Sequence, residues 1–183
     1  MPVPLWRVLP HLPTARPRQP GHPLYVPPRQ GAGRLDNPEH YLVLYLADHP
    51  AGAVAEAFGD LAVWRASMFR GTPSLPGSVR ALVRYELDDD TAFCDLDDPA
   101  ELVTRSLRPS QVVSHDRSLT QAWALRLWLE RSHDGIRWWS ARDPRWGSLG
   151  IWSPGRLRVV DVIPLAIDDA AVTTAAGVLH RPL

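Results

Sequence analysis

Residues 41–47, YLVLYLA, run directly into Asp48, His49 and Pro50, and the alanine-rich AGAVAEAFGDLAVWRA follows at once. The aromatic and branched apolar heptad reads as a strand, while Asp48 as cap and Pro50 in the first turn start a helix. Along that helix Ala53, Ala57, Leu61 and Trp64 share one face. Very few residues join strand to helix, which commits the chain to a fold that intermixes the two.

The rest of the chain repeats the theme. SVRALVRYELD (78–88) alternates apolar and polar side chains as a strand with one wetter face, and TAFCDL (91–96) follows as another. Asp98, Pro99 and Glu101 have the spacing of a helix start. SLTQAWALRLWLERSH (118–133) is a helix with Leu119, Ala122, Trp123, Leu127 and Glu130 in 3-4 spacing. After Asp134-Gly135, the segments IRWWS, LGIWS and LRVVDVIPL read as strands, and DDAAVTTAAGV closes as a helix. The proline-rich residues 1–28 form an irregular arm integrated into the domain, with a short strand around Trp6 and Arg7. No repeat of 20–50 residues appears, and the alternation is too irregular for a doubly wound sheet. The expectation is a single compact α+β domain over residues 1–183, with a mixed, largely antiparallel sheet and flanking helices.

Composition narrows the chemistry. At 183 residues, 45% hydrophobic and 22% charged, the chain is an ordinary globule, and no apolar run approaches the length of a membrane span. Prolines at positions 2, 4, 10, 13, 17, 20 and 23 interrupt any secretory h-region, so the cytoplasm is the expected location. Twenty basic residues balance 20 acidic ones, which leaves no global field to draw in nucleic acid. All the basic residues are arginines, and that removes lysine Schiff bases and P-loops from consideration. Cys94 stands alone and reads as a small buried strand residue. The histidines lack ligand spacing, and the DDD and DLDD runs lack the glycine and distal glutamate of a calcium loop, so no metal is expected. GxSxG, HExxH and the dinucleotide glycine fingerprint are absent.

What remains is Arg34 in a glycine-containing loop, Tyr45 near the end of a strand, Glu56 among alanines on a helix, and Ser140 after two tryptophans. Each has a plain reading: a solvated loop arginine, half-buried sheet packing, the wet side of an amphipathic helix, a strand-end hydroxyl satisfied by backbone. Glu56 has no basic partner four residues away on either side, so the alternative for it is a carboxylate desolvated for a purpose. Trp64, Trp123 and Trp128 sit on helices as core. Trp138 and Trp139 point to opposite faces of a strand, and Trp139 is the one assigned to a pocket. Further basic candidates are Arg29, Arg70, Arg137 and Arg142, of which Arg142 lies two residues past Ser140; Arg7 ranks below them.

In order and spacing, LWRV, GAGRLDNP, LYLADHPAGAVAEAFG, TQAWALRLW and GIRWWSARDPRWGSLGIW resemble the RES domain family, over most of the chain. That family is named for an arginine, a glutamate and a serine, and is found as the toxin half of bacterial RES–Xre toxin–antitoxin pairs. The resemblance makes Arg34, Glu56 and Ser140 those residues and Tyr45 the tyrosine of the strand. It implies a fold similar to ADP-ribosyltransferase toxins, an activity that consumes NAD, inorganic phosphate as a candidate co-substrate, and an Xre-type antitoxin as partner in a hetero-oligomer, or else a homodimer. Within that frame Glu56 steadies the developing ribose cation, Arg34 grips phosphate, Tyr45 offers a ring to nicotinamide or ribose, and Ser140 a hydroxyl to phosphate or amide; Arg142 and Trp139 assist in binding. Leu35 departs from the aromatic residue that often follows the family arginine, which bears on packing beside the nucleotide. The rivals are ADP-ribosyl transfer to an acceptor, with MFRGTPSLPGS (68–78) as acceptor-side loop and lid, and a non-catalytic binding protein.

Overall fold

Strand β1 (Leu5–His11) lies in the interior of the sheet despite the prolines around it, in the computed structural model, which describes residues 4–183. It pairs along its whole length with β3 (Val79–Leu87), from Leu5↔Tyr85 to His11↔Val79. On its other side it meets β2 (Leu44–Ala47) only at Trp6↔Ala47, so the stretch holding Pro10 is an edge there, where proline is tolerated. With β4 (Phe93–Asp95), β5 (Gly135–Trp139), β6 (Gly147–Ile151) and β7 (Leu157–Pro164) they form a seven-stranded sheet in the order β4-β5-β6-β2-β1-β3-β7. β4 and β5 run parallel and the other neighbours antiparallel. A parallel pair needs a long crossover, and this one carries α2 (Pro99–Thr104), α3 (Pro109–Val112) and α4 (Arg117–Leu129). The result is a single α+β domain with a mixed sheet.

The helices all serve one face of the sheet, in two groups. Helix α1 (Pro50–Phe58) and α5 (Ala170–Val178) pack on Trp6, Val8 and Leu82. At the other end, Trp123 and Leu127 of α4, Leu102 of α2 and Val112 of α3 pack on Ile136 and Trp138. The opposite face, built on Leu5, Leu44, Val83 and Tyr85, is covered by Leu24 and Val26 of the proline-rich segment. Tyr85 Oη donates to Pro23 O at 2.8 Å and Arg7 Nη1 to Tyr25 O at 3.2 Å, so this segment is tied to the sheet rather than left as a loose arm.

Local details depart from the sequence pattern. Helix α1 stops at Gly59, and Leu61 is exposed; Trp64 reaches the core from a loop, its backbone N–H donating to Pro182 O at 3.0 Å. The cap is His49, whose Nδ1 accepts from Ala51 N, because the Asp48 carboxylate is committed to Gly147 N at 2.7 Å and to Arg137. No helix among the described residues is long and apolar enough to cross a membrane.

Buried acids give the fold a pH dependence. Burial pushes the Cys94 thiol from 9.0 up to about 12, and the Tyr41 and Tyr85 hydroxyls from 10.0 to about 12. Between these values the unfolded chain has released protons that the native state still holds, so stability falls as pH rises. The urea midpoint is expected to drop steadily from pH 9 to 12. A flat midpoint across that window would contradict the burial of these groups.

Candidate functional site

The two helical groups build separate apolar clusters, and over the middle of the sheet lies a cavity of about 350 Å³. Its floor is one cross-strand row, Trp6↔Ala47↔Ser148↔Trp138, running over β1, β2, β6 and β5. Small residues in the centre make the hollow, and a tryptophan walls each end. Tyr45 lies in the adjoining row on the same face, edge-on to Trp138 with ring centroids 6.5 Å apart. Ala53, Glu56 and Ala57 of α1 form one wall, with Arg34 and Arg117 also lining the cavity.

The loop that carries Arg34 is organised by Asp36. Its buried carboxylate accepts from Gly31 N at 2.8 Å and Gly33 N at 2.6 Å through Oδ2, and from the Tyr45 hydroxyl at 2.6 Å through Oδ1. Leu35 N in turn donates to Tyr45 Oη at 2.9 Å. Gly33 is required by this closeness: a Cβ there would collide with Tyr45 Oη and Asp36 Oδ1. Tyr45 is thus engaged in holding the loop. Its pKa is driven above the usual tyrosine range, first by burial and then by Asp36, so the hydroxyl stays neutral. Leu35 is fully buried against Gly150 and does not line the cavity.

From this loop the Arg34 side chain crosses to the connection between α3 and α4, where Nη1 donates to Val112 O at 2.5 Å and Ser114 O at 2.8 Å. Its pKa is lowered, chiefly by burial and then by the charge of Arg117, with Glu56 pulling the other way. A guanidinium remains protonated under such shifts.

Glu56 is exposed on the wet side of α1, and that side is also the cavity wall. The alternative of a desolvated carboxylate does not hold. Ser140, in the loop after β5, is 2% exposed, and its hydroxyl donates to Glu56 Oε1 at 2.5 Å. The same hydroxyl accepts from Arg142 N at 3.0 Å, while Ser140 N donates to Trp146 O at 2.7 Å. Ser140 therefore orients the carboxylate from behind and does not itself line the cavity.

Several expected ligand contacts fall elsewhere. Trp138 lines the cavity and Trp139 does not, because the cavity lies on the face that carries Trp138. The Arg142 guanidinium pairs with Asp60 at 2.7 Å, which leaves its backbone N–H as the contribution to the site. Arg137 is bound to Asp48, Asp95 and Asp97. The 68–78 segment does not line the cavity: Ser78 Oγ donates to Leu75 O and accepts from Thr72 N, and Leu75 and Gly77 lie against the residues after β1. Sequence reasoning missed Arg117 and Asp36. Nothing marked Arg117, which follows Asp116 at a helix start; Asp36 was detectable only as an acid among glycines that leave backbone N–H groups to satisfy.

Among the described residues no group of His, Cys, Asp or Glu is placed to hold a metal ion. A carboxylate braced by a hydroxyl, opposite an arginine and between tryptophans, suits a ligand that has an anionic part and a part that develops positive charge.

The fold aligns with a chain of the crystal structure of the M. tuberculosis MbcT–MbcA toxin–antitoxin complex at a TM-score of 0.63, covering 98% of this chain and 90% of that one with 16% identity. No curated protein matches the sequence. The RES domain model matches residues 4–172, and the chain belongs to the RES domain family.

Proposed function

We propose that this protein consumes NAD by cleaving the nicotinamide–ribose bond, with water or inorganic phosphate as the attacking group, and that it acts in the cytoplasm as the toxin of a pair whose partner is an Xre-type antitoxin. The observation that carries this reading is the convergence of Arg34, Tyr45 and Glu56 on one cavity, from a loop, a strand and a helix. Nicotinamide leaves as a neutral molecule, so little acid catalysis is required. What the reaction needs is stabilisation of an oxocarbenium-like ribose, and a fixed carboxylate provides it. Glu56 fills that role with Ser140 setting its orientation, and Arg34 holds phosphate oxygens. The Trp6 and Trp138 walls supply flat surfaces for the nucleotide rings. The chemistry asks for no metal. Likeness of fold to a chain from a toxin–antitoxin complex supports the pairing with an antitoxin.

The test is incubation of the purified protein with NAD, with and without inorganic phosphate, following nicotinamide release. Release is expected, and its dependence on phosphate separates phosphorolysis from hydrolysis. Folded, antitoxin-free protein that releases none under either condition would overturn the proposal, and ADP-ribose found attached to protein would redirect it to a transferase.

A further inference from the structure

Three arginines line the cavity; Arg7 gives its Nη1 to Tyr25 O, and neither of the other two, Arg34 and Arg117, is in an ion pair with a carboxylate among the described residues. The backbone that clamps Arg34, at Val112 and Ser114, leads straight into the first turn of α4, where Arg117 stands. The two cations are close enough that the charge of Arg117 lowers the pKa of Arg34. Nη1 of Arg117 is buried with no hydrogen-bond partner.

The nearby acids are engaged elsewhere or too far for an ion pair, Glu56 acting on Arg34 through its charge alone. Asp36 serves Gly31, Gly33 and Tyr45; Asp116 caps α4 through Leu119 N and takes the Ser118 hydroxyl; Glu56 Oε1 is held by Ser140. A fold that brings two like charges together carries an unfavourable term that an anion between them would remove. Forked N–H donors are the groups suited to the oxygens of phosphate.

We infer that Arg117 and Arg34 together form a two-pronged site for a phosphate-class anion, with Arg117 a binding residue of the cavity in its own right. The anion comes either from the diphosphate of a dinucleotide or from free inorganic phosphate. This deepens, and rests on, the reading of the cavity as an NAD site, yet it is tested without turnover. Inorganic phosphate and inorganic pyrophosphate are titrated separately into the whole protein, read by tryptophan fluorescence, since Trp6 and Trp138 line the cavity, and by thermal midpoint. Both readouts are repeated on Arg117→Gln, Arg117→Lys and, as an exposed control, Arg158→Gln.

The wild type is expected to bind and to melt higher with anion present. Arg117→Gln should bind on the order of tenfold or more weaker, the loss of one charge-assisted hydrogen bond. Without anion it should melt no lower than the wild type, because a like charge has gone. Arg117→Lys should fall between the two, and Arg158→Gln should match the wild type. Preference for pyrophosphate assigns the site to the nucleotide, and preference for phosphate assigns it to a co-substrate. Failure of the wild type to bind either anion, or equal affinity in Arg117→Gln, overturns the inference. NAD turnover with unchanged anion affinity in Arg117→Gln sinks only this inference, whereas Arg117-dependent binding without NAD turnover sinks only the NAD reading.

Discussion

Glu56→Gln is expected to reduce nicotinamide release from NAD by on the order of 10²–10³-fold, the range seen when one electrostatic stabiliser of a transition state is removed. The substitution keeps the shape of the side chain and leaves an amide oxygen to accept from the Ser140 hydroxyl, which now donates to Glu56 Oε1. What it removes is the negative charge that the proposed reaction uses to steady the ribose. Because Glu56 is exposed, its loss leaves no buried charge stranded, and the thermal midpoint should stay that of the wild type. Nicotinamide measured by chromatography, beside a thermal melt, decides the matter. Undiminished release from the folded variant would remove Glu56 from the chemistry.

Asp36→Ala should lower stability by about 2–4 kcal/mol and abolish turnover with it, since a lost buried acceptor strands each of its donors. The carboxylate serves the amides of Gly31 and Gly33 and the Tyr45 hydroxyl, and the loop it closes is the one that presents Arg34. Tyr45→Phe removes one of these donors together with its need for a partner, so it should cost less, about 1–2 kcal/mol. Urea melts of the two variants give the comparison. An Asp36→Ala protein as stable as the wild type would show that the loop is held by something else, with Gln121 Nε2, which donates to Gly31 O and Gly33 O, the first alternative to try.

The periodic parts of the fold were legible from the residues. β3 and β7 are strands as read, α4 buries Trp123 and Leu127 at helical spacing, and Cys94 is the buried strand residue it resembled. The wetter face expected of β3 is not there, because Ala81, Leu82 and Val83 are buried in succession by layers on both sides of the sheet. The end of α1 was not legible, because Leu61 and Trp64 continue the helical spacing while the chain departs at Gly59 toward a contact with Pro182 that no local pattern encodes. Parity explains the exchange of Trp139 for Trp138. Which of two adjacent strand residues faces a cavity depends on register with β6 and β2, and register is a property of partners. Arg117 and the Arg34 clamp escaped for the same reason: residues far apart in the chain are brought together by the crossover between parallel strands.

The alanines of α1 acquire a meaning that their chemistry alone does not suggest. Ala51 and Ala55 are fully buried, and Gly52 lies flat against Trp146, where even a Cβ would come within 3.3 Å. The helix consequently rides on a shim of minimum thickness, and the height of Glu56 above the Trp6–Trp138 floor is set by what its neighbours lack. A bulkier residue on that underside would shift the carboxylate relative to the cavity, and in the proposed reaction displacements near 1 Å would already weaken catalysis severely. The most exacting dimension of the site is therefore written in the residues with the least to offer a ligand.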